Sequence, residues 1–234
     1  MKITLSDFKP AREFARRYGV KSVVYSGAGE GKTPICAATA PNACFVATEP
    51  GMMSIRKLEI PTIEAYTSAR IDDCMEFFKS SAEASKFDTI IMDSASELCE
   101  IKLREALGAG SKGGNKAHGQ AAYGEMSMWA MKHLNDLYFL QNKHVLLISK
   151  LQKIEEDGVV TNRPYYPGRE MPIKVPHLFD LIMRLGTFHI SAADGQQKAF
   201  LCKATFESMA RDRSGNLNEY EPPNIAYIFN KCMQ

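Results

Sequence analysis

Apolar residues in this chain gather in short unbroken runs, separated by longer stretches in which they recur every three or four positions. The runs at 22–25, 43–48, 87–93 and 144–149 lack polar alternation, as expected of strands covered on both faces of a parallel sheet. Residues 60–68 suggest another short strand. Between the strands, 35–38 opens a helix, and 70–86 carries helical spacing through Ile71, Cys74, Met75 and Phe78. A further helix runs through Leu98, Ile101, Leu103 and Leu107, and 123–140 reads as a long one. This alternation predicts an α/β fold with a mostly parallel central sheet flanked by helices. Beyond residue 150 the pattern changes. A hairpin is expected around Asp157-Gly158, and the apolar runs 180–190 and 198–205 are expected to extend the sheet antiparallel. With neither repeat nor linker visible, 1–234 reads as a single domain whose first twenty residues form an N-terminal extension.

Composition narrows the picture modestly. The chain has 234 residues, enough for a well-buried core. Its net charge of +2 is too small to announce nucleic acid, so any such contact must come from local patches. The six cysteines form no C-x-x-C pair and several lie in apolar runs, so they read as reduced core residues. The five histidines show no metal-ligand spacing. No apolar stretch approaches eighteen residues and no signal-peptide core opens the chain. The expectation is a soluble, cytoplasmic protein with no membrane partner.

The segment Ser26-Gly27-Ala28-Gly29-Glu30-Gly31-Lys32-Thr33-Pro34 carries the most chemistry. It lies between a strand and a helix, the context a phosphate-binding loop requires. Glycines let backbone N–H groups turn inward around an anion, and the helix N-terminus adds a positive dipole. Lys32 is expected to reach the β- and γ-phosphates, and Thr33 to hold Mg²⁺ through its hydroxyl. Ser26 stands where the usual pattern has glycine, and Glu30 must turn its carboxylate outward. Pro34 is tolerable because the first helical turn leaves its N–H groups unpaired. The expected ligands are ATP and Mg²⁺.

Two acids follow. Asp93 closes an apolar strand and reads as support for the Mg²⁺ shell beside Thr33. Glu49 ends the strand directly after the P-loop helix, where its carboxylate could polarise an attacking water. Lys32, Glu49 and Asp93 are therefore the expected catalytic residues.

A Lys-Thr P-loop, a Glu closing the next strand and a later strand-end Asp resemble the RecA-like ATPase core. The chain also resembles the compact phage-encoded RecA-like proteins associated with recombinases and single-strand annealing. The resemblance rests on 45–51 (Phe-Val-Ala-Thr-Glu-Pro-Gly), 89–94 (Thr-Ile-Ile-Met-Asp-Ser), Tyr166-Pro167-Gly168, His177-Leu178-Phe179-Asp180 and 211–215 (Arg-Asp-Arg-Ser-Gly). It implies a Mg²⁺-dependent ATPase acting with single-stranded DNA in phage recombination or repair, in the host cytoplasm, as a filament or ring of identical copies.

The same resemblance implies roles for other positions. A polar sensor would fall on Ser149 or Lys150, replacing the family's glutamine; Lys150 could equally be a solvated strand-end lysine. A first DNA loop would span 108–119, with Lys112 and Lys116 facing phosphates. A second would lie within 150–175, which holds Lys150, Lys153, Arg163, Tyr165, Tyr166 and Arg169. Arg169, Arg211 and Arg213 are candidates for a cation supplied to a neighbouring subunit's site. Phe8-Lys9-Pro10-Ala11 fits a Phe-x-x-Ala docking pattern, although Phe8 could instead cap this chain's own sheet. The run Tyr123, Met126, Met128, Trp129, Met131 and Leu134 reads as core packing. The rival to an ATPase is a nucleotide-switched interaction protein, such as a helicase loader, with little turnover. A small-molecule kinase is a weaker third option, since no arginine-rich lid is visible.

Overall fold

A computed structural model describes residues 3–109, 116–156, 158–191 and 195–234. A short exposed segment leads into α1 (Ala11–Tyr18), and then the sheet begins. The chain proceeds through β1 (Lys21–Ser26), α2 (Lys32–Thr39), β2 (Ala43–Ala47), β3 (Thr62–Glu64), α3 (Ser68–Ser80) and β4 (Thr89–Asp93). Next come α4 (Ala95–Ala109), α5 (Lys116–Phe139), β5 (His144–Glu156), β6 (Val159–Pro164) and α6 (Met171–Leu178). Finally β7 (Leu181–Ser191), β8 (Gly195–Leu201), β9 (Arg211–Asp212), β10 (Tyr220–Glu221) and α7 (Ile225–Cys232) complete the described chain.

The sheet order is β10-β8-β7-β1-β5-β4-β2-β3, with β6 paired to β5 and β9 to β7. Strands β7, β1, β5, β4, β2 and β3 run parallel. Their residues are apolar on both faces because both faces are covered. Val23, Cys44, Ile90 and Leu147 pack with α3, α4 and α5 on one side. Val24, Phe45, Ile91, Leu146 and Ile148 pack with α2 and α7 on the other. The expected α/β fold with a mostly parallel sheet is the one observed.

Several boundaries differ from the expectation. β7 joins β1 in parallel, and the antiparallel pairing begins only at β8. β5 is thirteen residues long and runs on past its neighbours in the sheet, and its far half pairs with β6 as the expected hairpin. The stretch 70–86 divides into α3 and a short 3-10 helix (Ala82–Lys86), since Thr67 caps the first and Ser81 the second. The expected loop at 108–119 is shorter: Gly108 still belongs to α4 and Lys116 already opens α5. Glycines at 119 and 124 do not prevent α5 from forming, because Ala122, Met126 and Ala130 are buried in the core it shares with α4. All six cysteines are unpaired and five are buried. No helix among the described residues is long and apolar enough to cross a membrane.

Candidate functional site

The carboxyl ends of β1, β4 and β2 lie level with the middle of β5, and together they bring Ser26, Lys150, Asp93 and Glu49 to one edge of the sheet. Ser26 is in register with Lys150, and Asp93 with Ile148. Ser26 is the last residue of a buried strand and has no positive φ, which is why a glycine is not needed there. The turn falls on Gly29 (φ 78°) and Gly31 (φ 82°), where L side chains are strained. Gly31 caps α2, and its carbonyl accepts the first helical bond from Ile35. Pro34 is the third helical residue, so its missing N–H would have had no intrahelical partner.

Lys32 folds back on its own loop, donating to the carbonyls of Ser26 (2.9 Å) and Gly27 (3.0 Å). Burial holds its pKa below the ordinary lysine value, with Asp93 and Glu49 among the acids that oppose the shift. Thr33 Oγ1 donates to Asp93 Oδ2 at 2.5 Å across sixty residues of sequence. Burial pushes the Asp93 carboxyl up to about 6, against the Thr33 bond and nearby Lys32, while Glu49 adds to the rise.

The ends of β2 and β4 are knitted together. The Thr48 N–H donates to the Asp93 carbonyl, Thr48 Oγ1 donates to the Ser94 carbonyl, and the Ser94 N–H donates to Thr48 Oγ1. Glu49 follows at once, half-exposed, with its carboxylate 3.8 Å from Lys150 Nζ. Lys150 is held more tightly by Glu97 (2.6 Å) and Glu100 (3.2 Å) of α4. Burial works against the charge on both Glu97 and Lys150. Bonding outweighs it, drawing Glu97 down to about 2 and raising Lys150 to about 12.

The structure thus brings Lys32, Thr33, Asp93, Glu49 and Lys150 together. It turns Ser149 elsewhere: its buried hydroxyl bonds the Tyr166 hydroxyl at 2.9 Å. Arg211 donates to the carbonyls of Pro176 and Phe179, and Arg213 to that of His177 (2.6 Å) and to Asp180. Both guanidinia are therefore engaged at the C-terminal end of α6 in their own chain. Arg169 is exposed and has no ion-pair partner among the described residues. Lys112 lies outside the described residues. Within the second expected DNA loop, Tyr166 is buried and Arg163 pairs with Glu156, so neither is free to meet a ligand.

The run along α5 is only partly core. Met126 and Leu134 are buried, but Met128 is 75% exposed. With Tyr123, Gly168, Arg169 and Lys174, Met128 lines a groove of about 870 Å³ between α5 and the 167–174 segment. Tyr123 also borders a smaller groove of about 300 Å³ with Arg104, Gln152 and Tyr165.

Two features escaped the sequence. Glu97 and Glu100 flank Lys150; their position in the first turns after the Asp93 strand was the available signal. Lys198 of β8 donates to the Glu30 carbonyl at 2.7 Å across 168 residues, and no sequence pattern announces it.

Donor chemistry at Thr33 and Asp93 suits Mg²⁺, a hard cation taken up by one or two carboxylates together with phosphate oxygens. Among the described residues no group of three or more His, Cys, Asp or Glu side chains could hold a metal alone. A strand order that sets the P-loop strand one strand away from the Asp93 strand, together with this loop, defines a RecA-like P-loop class. The chain belongs to the AAA domain family, whose profile it matches over residues 18–214.

Among solved structures the chain is similar to a KaiC-like protein from Pyrococcus horikoshii OT3, at 11% identity and TM-score 0.45 over 79% of each chain. It is also similar to the flagellar accessory protein FlaH from Methanocaldococcus jannaschii (12% identity, TM-score 0.43, 89% of this chain and 88% of that one). A third is an ATPase from the type III secretion system of pathogenic bacteria (10% identity, TM-score 0.45, 87% of this chain and 62% of that one). No curated protein matches at a significant level.

Proposed function

We propose that this protein binds ATP with Mg²⁺ and hydrolyses it, acting with single-stranded DNA in recombination or repair of the phage type. The observation that carries the hydrolytic reading is the row Lys32, Thr33, Asp93 and Glu49 at one sheet edge. Lys32 exchanges its loop carbonyls for β- and γ-phosphate oxygens, and the N–H groups of the loop receive the rest. Mg²⁺, when bound, neutralises charge on the phosphates. Thr33 supplies its hydroxyl to the ion, and Asp93 orients the ion's shell. Glu49 accepts the proton of the attacking water.

DNA is supported by the grooves along α5, where Tyr123 and Tyr165 offer stacking faces and Arg169 a cation with no ion-pair partner among the described residues. A second copy is supported by the N-terminal segment. Ile3, Leu5 and Phe8 are 82%, 91% and 74% exposed, so Phe8 does not cap its own sheet. An apolar cavity of about 340 Å³ beside edge strand β3, lined by Phe45, Ile63, Cys74 and Phe77, has the character to receive such a side chain. A switch with little turnover is the second reading, favoured by the Glu49–Lys150 contact, which ties up the base until Lys150 moves.

The test is the ATP hydrolysis rate with and without single-stranded DNA, with Lys32→Ala as blank and Glu49→Gln alongside. DNA-stimulated turnover is expected, lost in both variants, with ATP binding retained in Glu49→Gln. Unchanged turnover in Glu49→Gln would remove Glu49 as the base, and slow turnover indifferent to DNA would favour the switch.

A further inference from the structure

Hairpin β7–β8 outgrows the sheet. Tyr25 is in register with Arg184, so β7 continues several residues past the end of β1, with β8 antiparallel beside it. Cross-strand pairs on one face change character along the way. Leu185 and Phe200 are buried against the α2 side of the core. One step out come Thr187 and Lys198, and then His189 and Gln196, whose side chains bond each other at 3.0 Å. A polar face thus rises beside the P-loop.

Lys198 reaches back from that face. Its Nζ donates to the Glu30 carbonyl at 2.7 Å and stands 3.8 Å from where a Gly31 Cβ would be. No carboxylate among the described residues pairs with it. This exposed ammonium therefore stands, with Lys32, at the positive end of α2, where the helix dipole favours an anion over a second cation. A neutral carbonyl is a weak substitute for that anion.

We propose that Lys198 is a nucleotide-phosphate ligand supplied from the chain's own hairpin, exchanging the Glu30 carbonyl for a phosphate oxygen when nucleotide binds. Lys32 would then grip the triphosphate from the loop side and Lys198 from the hairpin side. The proposal rests on the nucleotide-binding reading above.

The experiment is equilibrium binding of mant-ATP and mant-adenosine to the full chain, comparing wild type, Lys198→Ala and Lys198→Arg at several salt concentrations. A charge-assisted bond predicts that Lys198→Ala weakens mant-ATP by about tenfold or more, with a shallower salt dependence. Lys198→Arg should recover most of the loss, and mant-adenosine binding should not change. Mant-ATP affinity within twofold of wild type in Lys198→Ala would overturn the proposal. So would an equal loss for mant-adenosine, which would make Lys198 a brace for the loop. Wild-type protein that fails to bind mant-ATP would overturn the nucleotide reading itself, a failure visible before any variant is compared.

Discussion

Burial makes the Asp93 carboxylate costly to the fold, and on the proposed reading Mg²⁺ would offset that charge. Its carboxyl is raised from 3.8 to about 6, chiefly by burial. A carboxyl raised on folding binds more protons in the native state between those two values, so stability falls as pH rises through that window. The cost is absent below pH 3.8 and fully present above about pH 6. Asp93→Asn keeps an acceptor for Thr33 and removes the buried charge. It should stabilise the nucleotide-free protein by about 2–3 kcal/mol at pH 7.5 and by little near pH 4. Thermal melts at the two pH values check this. The same variant should lose Mg²⁺-dependent ATP binding, which titration of Mg²⁺ at fixed mant-ATP would read.

At the scale of elements, the C-terminal end of α6 is held by arginines from outside it. Arg211 reaches the carbonyl of Pro176 within it and that of Phe179 just beyond, and Arg213 that of His177. Arg211→Ala should lower stability by about 1.5–3 kcal/mol in urea unfolding, since hydrogen bonds to charged groups are worth that much. It should leave turnover per folded molecule within twofold of wild type. A large loss of turnover with no loss of stability would return Arg211 to a role in a neighbour's site.

Much of this scale was legible in the sequence. The runs that became β1, β2, β4 and β5 are apolar on both faces because helices cover both faces, and the P-loop lies where strand gives way to helix. Legibility ended where long-range geometry takes over. The start of α5 looks like a loop by its glycines, yet packing against α4 makes it helical. Gly195 to Lys198 reads as polar because both faces of the projecting hairpin meet solvent, so no alternation marks it as a strand. Lys198 meets the P-loop only because β8 lies two strands from β1, an adjacency that no local pattern encodes.

For the whole molecule, the oligomeric reading proposed above would seat the exposed N-terminal segment of one copy in the cavity beside β3 of another. Phe8→Ala should shift sedimentation toward the monomer, while the same assay on Tyr123→Ala should be unaffected. Tyr123→Ala should instead weaken single-stranded DNA binding by about fivefold to a hundredfold, the range for removing one stacking platform. If Phe8→Ala sediments like wild type, the oligomer forms through another surface.

The bonds that Lys32 makes to Ser26 and Gly27, with the one from Lys198 to Glu30, turn carbonyls of the P-loop toward two lysines. A lysine that turns to an anion gives up its carbonyl bonds in exchange. Inorganic phosphate brings a single group to that exchange, while a triphosphate brings three. On the nucleotide reading proposed above, each of these carbonyls is a competitor that an anion must outbid, so inorganic phosphate should bind the loop far more weakly than a triphosphate.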